Sequence, residues 1–252
     1  MLDLHQKYFQ LLKLTRKYIE QETGTRIPLP KIRRQGEEGS RKGTLETIEN
    51  TIQGCKKCRL SQYRKNIVLG TGNTDAPLMI IGEAPGEQED IQGQPFVGAA
   101  GQLLTKMLAA IHIERENVYI TNVVKCRPEN NREPHHDEIE ACNPYLIAQI
   151  KVINPKIILC LGNFATKTML GKTEGINILR GKIFDYQGIK LLPTYHPAAL
   201  LYHPALKRDA WIDMQLLQKE IEEENGVRNM SDKGEVYYHP SDQGYEVKIK
   251  ER

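Results

Sequence analysis

The chain has 252 residues, with 35 Lys and Arg against 32 Asp and Glu, and 39% of it is apolar. A net charge of +3 excludes a strongly basic coat for nucleic acid and an acidic tail, while the length allows one large domain or two small ones. No run approaches the roughly 18 consecutive apolar residues of a membrane span, so no membrane partner is expected.

At the N-terminus, MLDLHQKYFQLLKLTRKYIEQE carries charges in every turn and lacks a continuous apolar stretch, which argues against a signal peptide. Leu4, Tyr8, Leu11, Leu12, Tyr18 and Ile19 recur at helical spacing and predict an amphipathic helix that stops near Gly24 and packs or dimerises as an appendage. Residues 23–43, rich in charge, Pro and Gly, read as a linker, so residues 1–43 form an extension. One compact domain is expected over residues 44–224, opening with a short helix at Thr44–Gln53. Four apolar runs bounded by turn residues read as buried strands: Pro77–Ile81, Val118–Val124, Lys156–Leu161 and Ile189–Pro193. Helical patterns fall at about 97–111, 137–153, 163–170 and 205–224. Strands so widely separated and interleaved with helices predict an α/β fold with right-handed crossovers and a mainly parallel four-stranded sheet, covered on both faces. Ligands of such sheets bind beyond the carboxyl ends of the strands. Residues 225–252 are polar, and Val236–His239 and Tyr245–Ile249 flank PSDQG as a possible hairpin or tail.

Five cysteines are too few and too odd in number for a disulfide scaffold, which suggests a reducing, cytoplasmic setting. Cys55 and Cys58 form a CxxC pair, Cys126 follows the second predicted strand, and Cys142 begins or precedes a helix. Cys160 lies inside an apolar strand and reads as a small hydrophobe. Four converging thiolates suit tetrahedral zinc or an iron–sulfur cluster, and spacing alone does not choose between them.

There is no GxxxxGKS and no GxGxxG after the first strand, so the fingerprints of nucleoside-triphosphate and dinucleotide sites are missing. The segment there is GEAPGEQEDIQGQPFVGAAGQLL, whose glycines suit a backbone held close to a ligand. Glu83, Glu87, Glu89 and Asp90 make this loop acidic, so it fits a base or a reacting centre better than a phosphate. Phe96 is either a core anchor or a stacking platform for a planar ring. In TNVVKCRPENNR, Asn122 offers the paired donor and acceptor of an amide, and Lys125, Arg127 and Arg132 are cations suited to phosphates. His196 follows the fourth strand in TYHPAALLYHPALKR, and His203, in the second YHPA, reads better as a capping or surface residue.

In order and spacing, GEAPGEQED, GQPFVGAAGQLL, YITNVVKCRPENNR, the four cysteines and TYHPAALL resemble the family-4 uracil-DNA glycosylases, the iron–sulfur branch of their superfamily. The resemblance implies a three-layer α/β/α fold and a structural 4Fe–4S cluster on Cys55, Cys58, Cys126 and Cys142. It implies release of uracil from DNA by glycosidic cleavage; single- or double-stranded DNA is the expected partner, and the chain is expected to be a monomer. The uracil contacts it implies are Gly82, Glu83, Ala84, Phe96, Asn122 and His196, with His196 steadying the departing anion. Leu200 or Leu201 would wedge into the space left by the flipped base. Better-known uracil glycosylases carry a water-activating Asp where this chain has Ala84, so Glu89, Asp90 and Asn131 become the candidates for that role. Tyr202 stands where many relatives have Arg. Two other readings are a non-catalytic iron–sulfur DNA-binding module of the same fold and a zinc-stabilised nucleotide-binding protein.

Overall fold

The computed structural model describes residues 37–224, 236–241 and 244–249. The predicted N-terminal helix and most of the predicted linker lie outside the described residues. The helices are α1 (Glu37–Gln53), α2 (Glu87–Gln92), α3 (Ala99–Ala110), α4 (His136–Ile153), α5 (Gly162–Leu170), α6 (Ile176–Leu179), α7 (Pro197–Tyr202) and α8 (Lys207–Glu224). The strands are β1 (Thr71–Gly72), β2 (Leu78–Gly82), β3 (Tyr119–Asn122), β4 (Ile157–Leu161), β5 (Phe184–Tyr186), β6 (Ile189–Thr194), β7 (Val236–Ser241) and β8 (Gly244–Ile249). The expected helix at Thr44–Gln53 starts earlier, at Glu37, and keeps its predicted end.

Six strands form the main sheet in the order β1-β3-β2-β4-β6-β5. The four predicted strands are its parallel centre, β3-β2-β4-β6. Two short antiparallel strands, β1 on β3 and β5 on β6, complete the edges, so the sheet is mixed and six-stranded rather than four-stranded. The additions were invisible to hydrophobic patterning because they are two and three residues long and only partly buried. The β5–β6 hairpin closes on Gln187 and Gly188, both at positive φ (53° and 85°), the conformation a two-residue turn between twisted strands requires. β7 and β8 pair antiparallel in a separate hairpin.

Alternation along the strands builds the three layers. Met79 and Ile81 of β2, with Ile158 and Cys160 of β4, face Leu146, Ile150 and Ile153 of α4 and Ile52 of α1. Leu78 and Ile80, with Ile157, Leu159 and Leu192, face Leu104 and Leu108 of α3 and Met214 and Leu217 of α8. Both faces of the central strands are dry, which is why these segments read as continuous apolar runs. From β2 the chain moves to β3 on one side and later to β4 on the other, which opens a crevice at the carboxyl ends.

Candidate active site and thiol centre

A cavity of about 300 Å³ lies at that crevice. Its lining includes Glu83 and Ala84 after β2, Asn122 at the last position of β3, Phe96 from the loop before α3, and His196 just past β6. Asn122 is only 1% exposed, and its Oδ1 has no hydrogen-bond partner. Gly82 pairs with Asn122 across the parallel ladder. A Cβ on Gly82 would fall 2.4 Å from Asn122 Oδ1 and 2.5 Å from Phe96 Cζ, so glycine alone leaves room for both groups.

Phe96 has φ +53°, unusual for a bulky residue. Its carbonyl is pressed against Gly101, where a Cβ would lie 1.8 Å from Phe96 O. The ring joins the core on the α3 side and also lines the cavity, so anchoring and presentation are one arrangement. The Phe96 and His196 ring centroids are 5.6 Å apart at an interplanar angle of 31°.

His196 caps α7: its Nδ1 accepts from the Ala198 N–H at 3.2 Å. In the neutral ring the proton therefore sits on Nε2, leaving that nitrogen as the donor. Burial pushes its pKa down to about 4, against the opposing pull of Glu89, so the ring is neutral at pH 7. Thr194, just upstream, donates to Asp213 Oδ2 at 2.6 Å, and Arg180 donates to the same carboxylate at 2.9 and 2.6 Å. The Arg180 guanidinium also lies over the Tyr195 ring at 5.4 Å. This buried cluster fixes the end of β6 ahead of His196, and motif reading missed it. The available signal was a carboxylate on the buried stripe of α8, with Ala210, Met214 and Leu217.

The candidate water-activating residues separate. Glu89 lines the cavity, and its Oε1 accepts from the Val97 and Gly98 N–H groups, each at 2.8 Å, ahead of α3. Asn131 also lines it, its Oδ1 accepting from Arg127 Nε at 2.8 Å. Asp90 is different. It is 1% exposed, and its Oδ1 accepts from the Lys65 and Asn66 N–H groups at 2.8 and 3.2 Å, so it anchors that turn and does not line the cavity. Glu83 has its pKa pushed up to about 7 by burial and by the nearby Glu133.

Of the three expected phosphate cations, one is committed elsewhere. Lys125 is fully buried, and its Nζ donates to Thr121 Oγ1 at 2.7 Å and to Asn122 O at 2.5 Å, so it does not reach a phosphate. Arg132 lines the cavity while forking onto Glu138 at 2.8 and 2.6 Å. Glu138 also accepts from Arg59 at 2.9 Å, and its pKa is held near 2, chiefly by the Arg132 hydrogen bonds. Arg127 remains at the rim, 3.8 Å from Glu87. Of the two candidate wedges, Leu200 is 2% exposed and packs inward, whereas Leu201 is 44% exposed. Adjacent residues on a helix face different ways, and only one can point outward. His203 follows α7 as its C-cap and is exposed.

Cys55, Cys58, Cys126 and Cys142 line a second, much smaller cavity together with Arg64. Cys142 lies within α4 rather than at or before its start. Arg64 Nη1 donates to Cys126 Sγ at 3.2 Å and its Nη2 to Cys55 O at 2.8 Å, while the Lys125 N–H donates to Cys142 Sγ at 3.4 Å. Four thiols around one cavity, with donors aimed at two of the sulfurs, fit a thiolate-bound metal centre. Among the described residues, no three His, Cys, Asp or Glu side chains meet around a single ion position. Cys160 stays apart inside β4, where burial pushes its thiol pKa far up. No helix among the described residues is long and apolar enough to cross a membrane.

An α/β/α sandwich with an unpartnered amide, an aromatic ring and a neutral imidazole around one crevice defines a protein that receives a planar, hydrogen-bonding ring. The family model of the uracil DNA glycosylase superfamily matches residues 69–215. The type-4 uracil-DNA glycosylase of Saccharolobus solfataricus is 48% identical over 205 residues, covering 76% of this chain and 95% of the relative. That of Sulfurisphaera tokodaii is 51% identical over 174 residues, covering 66% and 79%. That of Archaeoglobus fulgidus is 45% identical over 174 residues, covering 66% and 87%. The chain belongs to the uracil DNA glycosylase superfamily and, within it, to the type-4 uracil-DNA glycosylases.

Proposed function

We propose that this chain hydrolyses the N-glycosidic bond of deoxyuridine in DNA, releasing uracil and leaving an abasic site for base excision repair. The observation that carries this reading is the buried, unpartnered Oδ1 of Asn122 beside the Phe96 ring. A buried acceptor without a donor costs about 1–3 kcal/mol, and the N3–H of uracil would relieve that cost. The amide nitrogen of Asn122 then donates to O4. Cytosine offers a bare N3 and an exocyclic amine, which leaves both halves of the amide mismatched.

The target nucleotide is flipped out of a duplex or taken from a single strand. Its ring rests on Phe96, with the Gly82, Glu83 and Ala84 segment along one edge. As the bond breaks, negative charge builds on O2, and the Nε2–H of neutral His196 stabilises it. A water meets the sugar cation, with Glu89 and Asn131 as the cavity residues placed to orient it. Leu201 would fill the gap in the strand, and Arg127 and Arg132 are the remaining cations for a phosphate.

Cys55, Cys58, Cys126 and Cys142, which line one small cavity, are the residues that would hold a 4Fe–4S cluster as thiolates. When bound, the cluster supplies a covalent tie between the CxxC loop, the segment after β3 and α4, and no redox step is assigned to it. The test is incubation of the iron-loaded chain with uracil-containing single and double strands, followed by alkali. Strand scission at uracil alone is expected. Intact strands from protein with its full iron content would overturn the proposal.

A further inference from the structure

We infer that Arg115 is a positioning residue for the ring on which uracil would rest: from outside the cavity it holds the Pro95 carbonyl and so keeps Phe96 turned into the site. The inference rests on the reading of Phe96 as the surface that receives uracil.

Phe96 lies outside helix and strand, in the loop between α2 and α3, at φ +53°. That conformation disfavours a bulky side chain and persists only where the surroundings over-determine it. Here the peptide groups on both sides of the residue are held by charged side chains from other segments. Ahead of the ring, Arg115 Nη2 donates to Pro95 O at 2.7 Å. Behind it, Glu89 Oε1 accepts from the Val97 and Gly98 N–H groups, each at 2.8 Å. Hydrogen bonds with one charged member are stronger than neutral ones. The ring itself belongs to the apolar cluster on the α3 side, and apolar packing has no preferred direction. The two held peptides supply the direction, because they fix the backbone from which the ring projects.

Arg115 reaches this loop from a distance. It opens the short 3-10 turn Arg115–Asn117 that leads into β3, and it does not line the cavity. Its second arm, Nη1, donates to Thr105 Oγ1 at 3.2 Å, and Thr105 Oγ1 donates in turn to Gly101 O at 3.1 Å. Gly101 is the residue against which the Phe96 carbonyl is pressed. One planar guanidinium therefore braces the loop carbonyl against the first turns of α3, a fork that a single ammonium cannot reproduce. Partial burial opposes the charge of Arg115, while Glu116 and Glu89 favour it. The two holds on the Phe96 loop are thus groups of opposite charge that attract each other.

The test is a double-mutant cycle on the full iron-loaded chain: parent, R115M, F96L and the double variant. Each is given a uracil-containing strand in single turnover at increasing enzyme concentration. R115M is expected to raise the concentration for half-maximal excision about tenfold, with a smaller effect on the saturating rate, and by less than about twofold once Phe96 is replaced. Equal fold losses in the two backgrounds, or parent-like half-saturation in R115M, overturn the proposal. Salt supplies a second readout. The slope of log affinity against log salt should match the parent, whereas a slope smaller by about one would make Arg115 a phosphate contact and overturn its positioning role. If R115M does not fold, R115K enters the cycle under the same criteria, because Lys keeps the charge and loses the fork. A parent chain that leaves uracil in place would sink the proposal through the uracil reading. A parent that excises uracil, with half-saturation unchanged in F96L, would sink it through the reading of Phe96.

Discussion

Phe96 and His196 hold their rings 5.6 Å apart at 31°, although each is supported by its own element, Phe96 by the start of α3 and His196 by the cap of α7. The two act on different steps. His196→Ala is expected to lower single-turnover excision about 100-fold or more, the value of one donor to a developing anion. Phe96→Leu, which roughly keeps the core volume, is expected to weaken binding of uracil-containing DNA with a smaller effect on the bound-state rate. Rates measured at saturating and limiting enzyme separate the two.

Asn122→Asp keeps an acceptor for N3–H but removes the paired donor for O4. Uracil excision should fall by about tenfold or more, from about 1–3 kcal/mol for the unpaired group. The uracil-to-cytosine rate ratio should narrow as well, because a protonated carboxyl can donate to cytosine N3. Matched strands carrying one or the other base give the ratio directly, and an unchanged ratio would remove Asn122 from base reading.

Gly82→Ala places a methyl group 2.4 Å from Asn122 Oδ1 and 2.5 Å from Phe96 Cζ. The steric conflict lies in the cavity, so the expected result is a folded protein that has lost uracil affinity. Circular dichroism together with DNA-binding titration would show this, and parent-like affinity would mean the ring sits elsewhere.

Glu83 and His196 pull stability in opposite directions with pH. Glu83 has its pKa raised from 4.5 to about 7, so between those values the folded state binds more protons than the unfolded one and stability falls as pH rises. Glu83→Gln should therefore melt higher than the parent above pH 7, with the gain shrinking towards pH 4.5. His196 has its pKa lowered from 6.5 to about 4, so its window runs the other way, with stability lost as pH falls from 6.5 to 4. Protonation of Nδ1 would also set a donor against the Ala198 N–H and undo the α7 cap. His196→Asn should flatten that acid limb, as melting temperatures across the range would reveal.

Each cysteine of the small cavity should be individually needed for the metal. Replacing Cys55, Cys58, Cys126 or Cys142 with Ala is expected to cost iron and solubility, because metal binding is coupled to folding. Cys160→Ala should keep full iron content, since that thiol is buried within β4 away from the others. Iron analysis of the five variants checks both halves.

The parallel centre of the sheet could be read in advance because strands buried on both faces leave unbroken apolar runs, as in LMIIG and IILCL. β1 and β5 could not, being too short to carry a pattern, although the Gln187–Gly188 turn was a usable sign of the second. Motif order brought Asn122, Phe96 and His196 to one cavity, and the cysteine spacing brought four thiols to another. Charge type alone misled at Lys125, since a cation in a loop sequence looks the same whether it faces solvent or a buried acceptor. Leu200 and Leu201 needed the phase of α7, and the Arg180–Asp213 pair needed two helices to meet. Such choices are made by packing between distant segments.

The sheet finishes on one side in the two residues of β1 and on the other in the three residues of β5. Exposed borders of this kind are where foreign backbones add themselves to a sheet, and stubs this brief give them almost no rungs to grip. The most apolar part of the molecule is thereby sealed at its margins. Self-association through strand addition to this sheet is disfavoured by its geometry, and the exposed Asp185 adds a charge to one of the two border strands.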